Sequence, residues 1–393
     1  MSLNDYSLKE IIQTEACTNC MLCAEVCPAV SATCDGSLSG VYRLRELRRL
    51  LKARAGFFKR FFSGAMDEET IRKFSETVYR CTLCGRCQEI CPAGISLKDI
   101  WVSLRQDLVH SNAFPGKVNM IRENVLNSHN VFAEDNEERA EWVEDLDDPP
   151  EHGHIKDSAE VVYFTGCVSS YYPMAQQIPL SLVEVFDAAG IDFTLLGEDE
   201  YCCGFPFLGA GLRDMTEEVI EHNVAAVKSK NAKKIVFACP SCYRMWKEYY
   251  PQEFELYHVT QFIKEKFLDG KLKFKKMDRV VTYHDPCDLG RGSREYDAPR
   301  EIIKSIPGIR LVEMEKNREN CACCGGGGNL EMIDADLSKE IAGAKIQQVL
   351  DTGADTVVTS CQQCVRTMKG YARLNKIKLE VLDIVELVKK SLA

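Results

Sequence analysis

Residues 319–330 read ENCACCGGGGNL, three cysteines in four positions followed directly by four glycines. An exposed loop has no use for adjacent thiols, and a packed core has little use for four glycines in a row. Consecutive side chains diverge, so a CC pair reaches one ion poorly but can reach one large multi-iron cluster. Glycines after the pair let backbone approach such a cluster without Cβ collisions and permit positive φ. They also leave amides to bind sulfide or thiolate. The 393-residue chain holds 20 cysteines and only seven histidines. Inside a reducing compartment so many thiols are not disulfides; they signal metal or redox chemistry, and seven histidines leave few mixed zinc sites.

The first eight cysteines form two matching runs. CTNCMLCAEVCP places Cys17, Cys20, Cys23 and Cys27 at C-x2-C-x2-C-x3-C-P, and CTLCGRCQEICP repeats the spacing at Cys81, Cys84, Cys87 and Cys91. This is the two-cluster ferredoxin pattern, in which the fourth cysteine of each run serves the other cluster. Cys17, Cys20, Cys23 and Cys91 are therefore expected on one cubane [4Fe–4S] cluster, and Cys81, Cys84, Cys87 and Cys27 on a second. Zinc knuckles take ligand pairs from separate turns, not four cysteines ending in proline, twice. The insert RLRELRRLLKARAGFF between the runs has helical periodicity and strong helix formers. The arrangement resembles the helical ferredoxin domain of succinate dehydrogenase-type iron–sulfur subunits. FFKRFF at 57–62 is expected to bury aromatics against this domain, the alternative being to dock a partner or touch a membrane.

The remaining chain repeats itself. Cys167, Cys202–Cys203 and Cys239-x2-Cys242 are matched by Cys287, Cys323–Cys324 and Cys361-x2-Cys364, with spacings C-x34-CC-x35-C-x2-C and C-x35-CC-x36-C-x2-C. A repeat at that period is a duplicated domain, not a solenoid.

The elements that must position these cysteines alternate. The apolar, β-branched runs in EVVYFTGC, KKIVFACPSC, RVVTYHDPC and DTVVTSCQQC read as strands ending near a cysteine, and DMTEEVIEHNVAAVKSKNA and DADLSKEIAGAKIQQVLDTGA as corresponding helices. Alternation of β and α implies open, mainly parallel sheets. Cys167, Cys239, Cys287 and Cys361 fall just after strands, where sites form in such folds. Each CxxC opens a helix, whose free N–H groups and positive end favour thiolate, and Pro240 suits a first turn. The predicted fold class is α/β: a mostly helical two-cluster ferredoxin domain (1–131), an acidic linker (132–158), and two duplicated Rossmann-like α/β domains (159–278 and 279–393). The linker is acidic, has a Pro-Pro pair and shows little apolar period.

The two five-cysteine motifs resemble the CCG domains of heterodisulfide reductases, and their fusion to ferredoxin motifs resembles the D-type catalytic chain of that family over about the whole sequence. The resemblance implies that Cys167, Cys202, Cys203, Cys239 and Cys242 hold one noncubane [4Fe–4S] cluster, and that Cys287, Cys323, Cys324, Cys361 and Cys364 hold another. It implies a small-molecule disulfide substrate of the coenzyme M–coenzyme B type. The alternative is electron transfer inside a larger complex, as in related lactate or glycolate oxidation and benzoyl-CoA reductase systems. Implied partners are a flavoprotein, cytochrome b or hydrogenase-type donor. Cys34 and Cys321 are left over, Cys321 as a bystander or an alternative ligand.

Disulfide reduction takes two electrons and clusters pass one at a time, so a pair flanking the S–S bond removes the mismatch; the clusters carry the chemistry. His284 is a candidate for proton delivery or a hydrogen bond to cluster sulfur, and Arg291 and Arg294 for binding an anionic substrate. The chain departs from the family at Asp288, where relatives often carry histidine. Hydrophobic residues make up 45% and charged residues 27%, with a formal net charge of −10. That excludes general nucleic-acid binding, which needs a basic surface. No stretch approaches a bilayer span and the N-terminus lacks signal features, so the expected location is cytoplasmic, with membrane association through a partner.

Overall fold

The computed structural model describes residues 5–55, 68–151 and 153–393; FFKRFF lies outside the described residues. The chain divides into two compact units. One comprises Met1–Arg122 with Pro206–Asp214 and Gly325–Ala344, and the other Glu123–Phe205, Met215–Cys324 and Lys345–Ala393. The segments that follow the two CC pairs thus fold with the N-terminal region.

The first unit is helical. Helix Leu8–Glu15 starts at a capping box in which Ser7 and Glu10 satisfy each other's backbone amides, which removes two of the orphan donors of a helix start. Helix Gly40–Ala55 is the helix expected from the basic insert. Helix Leu97–His110 buries Leu97, Ile100, Trp101, Leu104 and Leu108, an i, i+3, i+4 stripe, and helix Glu68–Tyr79 buries Phe74, Val78 and Tyr79.

The second unit contains two four-stranded sheets. In the first, β1 (Val161–Phe164), β2 (Phe193–Thr194), β3 (Lys234–Phe237) and β4 (Glu255–His258) lie in the order β2-β1-β3-β4. In the second, β5 (Arg279–His284), β6 (Ile309–Leu311), β7 (Thr356–Thr359) and β8 (Glu380–Asp383) lie in the order β6-β5-β7-β8. All pairings are parallel. Strand order reverses between β1 and β3, and again between β5 and β7, and such switch points open a crevice at the carboxyl ends of the strands. Cys167 and Cys239 follow one pair of strands, and Cys287 and Cys361 follow the other.

One core serves both sheets. It includes Tyr163, Val183, Phe186 and Val236 from the first half and Tyr283, Ile302, Val358 and Val385 from the second. Helix Gln177–Ala188 packs on Ile384–Ser391, and Val259–Leu268 packs on Asp297–Ser305. The halves are therefore welded by reciprocal helix contacts, with β1 and β7 buried along their length, as parallel strands require.

The acidic stretch 132–158, expected as a solvated linker, is partly built into this core. It carries a 3-10 helix, Glu137–Asp145, in which Arg139, Trp142 and Val143 are buried; Trp142 and Val143 join the shared core. Glu137, Glu138, Glu141 and Glu144 stay exposed on the other side. Their density hid a short inward-facing pattern. Among the described residues, no helix is long and apolar enough to cross a membrane.

Candidate functional site

In the first unit the eight N-terminal cysteines form two groups with exchanged fourth members. Cys17, Cys20, Cys23 and Cys91 line one cavity, and Cys27, Cys81, Cys84 and Cys87 line another. Each run wraps its cavity through matching left-handed residues, Asn19 and Met21 in the first and Leu83 and Gly85 in the second. Non-glycine residues in that region are strained, and the turn aims amides at sulfur: Asn19 N–H reaches Cys17 Sγ at 3.5 Å and Leu83 N–H reaches Cys81 Sγ at 3.4 Å. Gly40 sits between the two groups, where a Cβ would lie in van der Waals contact with both, 3.4 Å from Cys23 Sγ and 3.6 Å from the Cys87 Cβ. Burial, with the neighbouring Cys17, Cys20 and Cys91 thiols adding to it, pushes the Cys23 thiol up to about 11. A cation within such an all-sulfur set reverses that preference and deprotonates the thiol outright. Cys20 is exposed, so the first group opens to solvent.

The glycine run has a different neighbour from the one expected. A Cβ on Gly327 would come 2.7 Å from the Thr82 carbonyl oxygen, and one on Gly328 would collide with the Cys81 carbonyl. The run therefore permits close approach to the backbone of the second ferredoxin motif. Arg105, fully buried, fixes the arrangement. Its guanidinium donates to the carbonyls of Val78 (3.0 Å), Cys81 (2.8 Å), Gly328 (2.9 Å) and Gly209.

In the second unit, the first five-cysteine set is buried and continuous. Sulfur contacts run from Cys167 to Cys202, Cys203, Cys242 and Cys239 in turn. Cys202 and Cys242 both donate toward Cys203 and hold its thiol down at about 6. Cys239 is the N-cap of helix Pro240–Tyr249, with Pro240 in the first turn. Gly166, at φ +80°, has Cys242 Sγ 3.3 Å from where its Cβ would be. Only a residue without Cβ tolerates both that backbone and that sulfur.

In the second set, Cys324 Sγ lies 3.2 Å from Cys364 Sγ, Cys361 packs in the same cluster, and Cys361 caps helix Gln362–Leu374. The ligand atoms of His284, Cys324 and Cys364 lie within 4.8 Å of one another. Cys323 is buried and Cys287 half-buried at the carboxyl end of β5. Sulfur donors gathered without disulfides fit a multi-iron cluster better than a hard cation, which prefers oxygen.

The sequence comparisons agree with this geometry. Residues 161–247 and 281–369 each match the CCG cysteine-rich domain family, and residues 13–95 match the 4Fe-4S dicluster domain family. Over 98% of its length the chain is 33% identical to the D-type chain of the dihydromethanophenazine:CoB–CoM heterodisulfide reductase of Methanosarcina acetivorans, covering 95% of that protein. The chain belongs to the D-type heterodisulfide reductase family. It is also 28% identical to the probable iron–sulfur-binding oxidoreductase FadF of Bacillus subtilis, over 99% of this chain and 61% of that one. Likeness to the EtfAB:quinone oxidoreductase of Syntrophomonas wolfei is 27%, over 100% and 60% respectively. The protein is an iron–sulfur oxidoreductase, with domains of the [4Fe–4S] type and relatives that work as subunits of larger complexes.

Within this D-type chain the two CCG halves align with each other, and the alignment sets Glu200, which sequence reasoning passed over, against the leftover Cys321. Glu200 and Cys321 occupy the same position, two and three residues before the paired cysteines of each half. Glu200 accepts from Thr165 N–H (2.7 Å) and Gly166 N–H (2.8 Å), and pairs with Arg139 at 2.8 Å. Cys321 instead lies 3.4 Å from His284 Nδ1 and 3.6 Å from Lys345 Nζ, both buried. Burial alone would raise the Cys321 thiol, but Lys345 and His284 outweigh it and bring it to about 6. Arg291 donates to the carbonyls of Glu319 (3.1 Å) and Cys321 (2.8 Å), holding this segment. Arg294 sits at φ +59° in the same loop. Asp288 accepts from Ser241 Oγ at 2.9 Å and pairs with Arg244 at 3.2 Å. Arg139, Glu200 and Lys345 gave no motif; the repeat alignment was the one signal that pointed to Glu200.

Proposed function

We propose that the protein takes electrons from an external donor through two cubane [4Fe–4S] clusters and delivers them to two noncubane [4Fe–4S] clusters that reduce a small-molecule disulfide. The observation that carries this reading is the completeness of both five-cysteine sets in halves welded by one core. When bound, the noncubane pair would supply one electron and one open iron to each sulfur of the S–S bond. The ligands assigned to it are Cys167, Cys202, Cys203, Cys239 and Cys242 on one side, and Cys287, Cys323, Cys324, Cys361 and Cys364 on the other.

The chain's own residues would bind, orient and protonate. His284, close to Cys324 and Cys364, is positioned to hold a hydrogen bond at cluster sulfur and to pass a proton to a departing thiolate. Arg291 first holds the Cys321 segment; with Arg294 it is assigned the anionic groups of the substrate. The first cubane, lined by the exposed Cys20, is the proposed point of electron entry. The donor is a separate protein of the flavoprotein, cytochrome b or hydrogenase type, and through it the protein would meet a membrane. The coenzyme M–coenzyme B heterodisulfide named for the Methanosarcina relative is the substrate to try first.

A second reading is electron transfer without a disulfide substrate, favoured by the likeness to FadF and to the EtfAB:quinone oxidoreductase. Mixing the anaerobically reduced protein with coenzyme M–coenzyme B heterodisulfide, and counting thiols released against electrons consumed, separates the two. Two thiols per two electrons, lost in Cys203→Ser or Cys324→Ser, supports disulfide reduction. No thiol release from protein holding about sixteen irons in four clusters rejects that substrate and favours the conduit.

A further inference from the structure

Beyond the ligand cysteines, three buried cations lie in or beside the CCG halves, and they do different things. In the first half Arg139, 2% exposed, directs Nη1 to Glu200 at 2.8 Å and Nη2 to Cys167 Sγ at 3.7 Å. Its Nε reaches Asn136 at 3.2 Å, and its plane lies 5.4 Å from the Tyr171 ring centre. In the second half the buried guanidinium is Arg300, bound by Asp285 at 2.7 Å and Glu313 at 2.6 Å. Lys345 reaches Cys321, which lies outside the five assigned sulfurs. Of these three, Arg139 alone comes from outside the repeat, from the acidic stretch before β1.

We propose that Arg139 is a tuning residue that raises the reduction potential of the first CCG cluster above the value its sulfur ligands alone would give. A donor aimed at a ligand sulfur draws electron density from the cluster and favours its reduced form, and burial strengthens the effect. Glu200 does not cancel it, because its oxygens face Arg139 Nη1 and the Thr165 and Gly166 amides, whose dipoles offset part of its field, whereas Nη2 faces Cys167 Sγ. The step affected is uptake of one electron by the cluster from an external reductant. No bond to the protein forms or breaks, and Arg139 keeps its proton throughout. Duplicated clusters with identical ligand sets would thus acquire unequal potentials from a segment that was never duplicated. This rests on the first five cysteines holding a cluster.

The test is an EPR-monitored redox titration with iron analysis on the intact protein, for wild type, Arg139→Lys and the paired Arg139→Met/Glu200→Gln variant. The paired change avoids stranding a buried carboxylate; Arg139→Lys keeps the charge but cannot serve both Glu200 and Cys167. Cys203→Ser and Cys324→Ser identify which signal belongs to which half. The expected result is full iron and a first-half midpoint that moves negative. At fixed potential its oxidised-to-reduced ratio changes about tenfold, which is about 59 mV for one electron, while the second-half signal stays in place. Full iron with both midpoints unmoved in both variants overturns the tuning role and leaves the cluster assignment standing. If Cys203→Ser loses neither iron nor a signal, the first-half cluster and the tuning role fall together.

Discussion

The Gln362 side-chain amide donates to the Thr165 carbonyl at 2.7 Å, linking the CxxC turn of the second half to the strand end that precedes Cys167 in the first. Ser241, in the CxxC turn of the first half, returns the link by donating to Asp288, the residue after Cys287, at 2.9 Å. Each half thus ties its helix-capping turn to the other's strand end, and the ten cysteines are held as one assembly rather than two. Gln362→Leu leaves the buried Thr165 carbonyl without this donor. A loss of about 1–3 kcal/mol of stability is expected, seen as a lower urea midpoint with the iron content kept. A loss of iron without a stability change would mean that Gln362 acts on the ligands directly.

Gly328 gives a sharper case. Its φ is +63° and a Cβ there meets the Cys81 carbonyl, so Gly328→Ala must move backbone that carries a cubane ligand. The expected outcome is loss of about four of about sixteen irons, with disappearance of one ferredoxin-type signal and survival of the other. Gly36→Ala, where nothing lies within 4 Å of the added carbon, serves as the control and should keep all iron. Retention of full iron in Gly328→Ala would show that the Cys81 turn can yield.

These two cases also mark what could be read from the residues alone. The duplicated cysteine spacings and β-branched runs foretold parallel sheets with cysteines at strand ends, because strand–loop–helix units put those positions at one edge. The exchange of Cys27 and Cys91 followed from the proline-terminated runs. The partner of the glycines did not follow: the Cys81 turn is far away in sequence, and glycine records that something is near without recording what. Arg139 was hidden for a similar reason. It stands among glutamates, and only packing shows that Arg139, Trp142 and Val143 turn inward while the acidic side chains face water.

His258 makes the stability of the second unit depend on pH. It is fully buried at the end of β4, with Nδ1 2.9 Å from Thr260 Oγ1, and burial pulls its imidazole down to about 3. The unfolded chain takes up a proton near pH 6.5, so the unfolded state binds more protons below that value. The stabilisation is complete above about pH 6.5 and is lost as pH falls from there toward 3. Between pH 7 and pH 5 this group alone should remove about 2 kcal/mol. Urea melts of wild type and His258→Gln at the two pH values measure it: the variant should be less stable at pH 7 and show a smaller drop on acidification. An equal drop in both would assign acid sensitivity elsewhere.

Cys321 and Cys324 stand three residues apart and should behave as different kinds of cysteine. Cys324 Sγ contacts Cys364 Sγ at 3.2 Å, whereas the Cys321 sulfur is directed at His284 and Lys345. Cys324→Ser replaces a soft donor with a hard one inside an all-sulfur set, which iron–sulfur clusters tolerate poorly; the expected loss is about four irons of about sixteen. Cys321→Ser should keep every iron, because no assigned ligand is removed. It should still lower the rate of thiol release if His284 passes protons, since the neighbour that orients its ring has been exchanged for a shorter hydroxyl. Iron analysis with Mössbauer spectroscopy of the two variants decides the matter. Loss of about four irons in Cys321→Ser would make Cys321 a ligand of the second cluster and would move His284 from proton delivery to holding that thiolate.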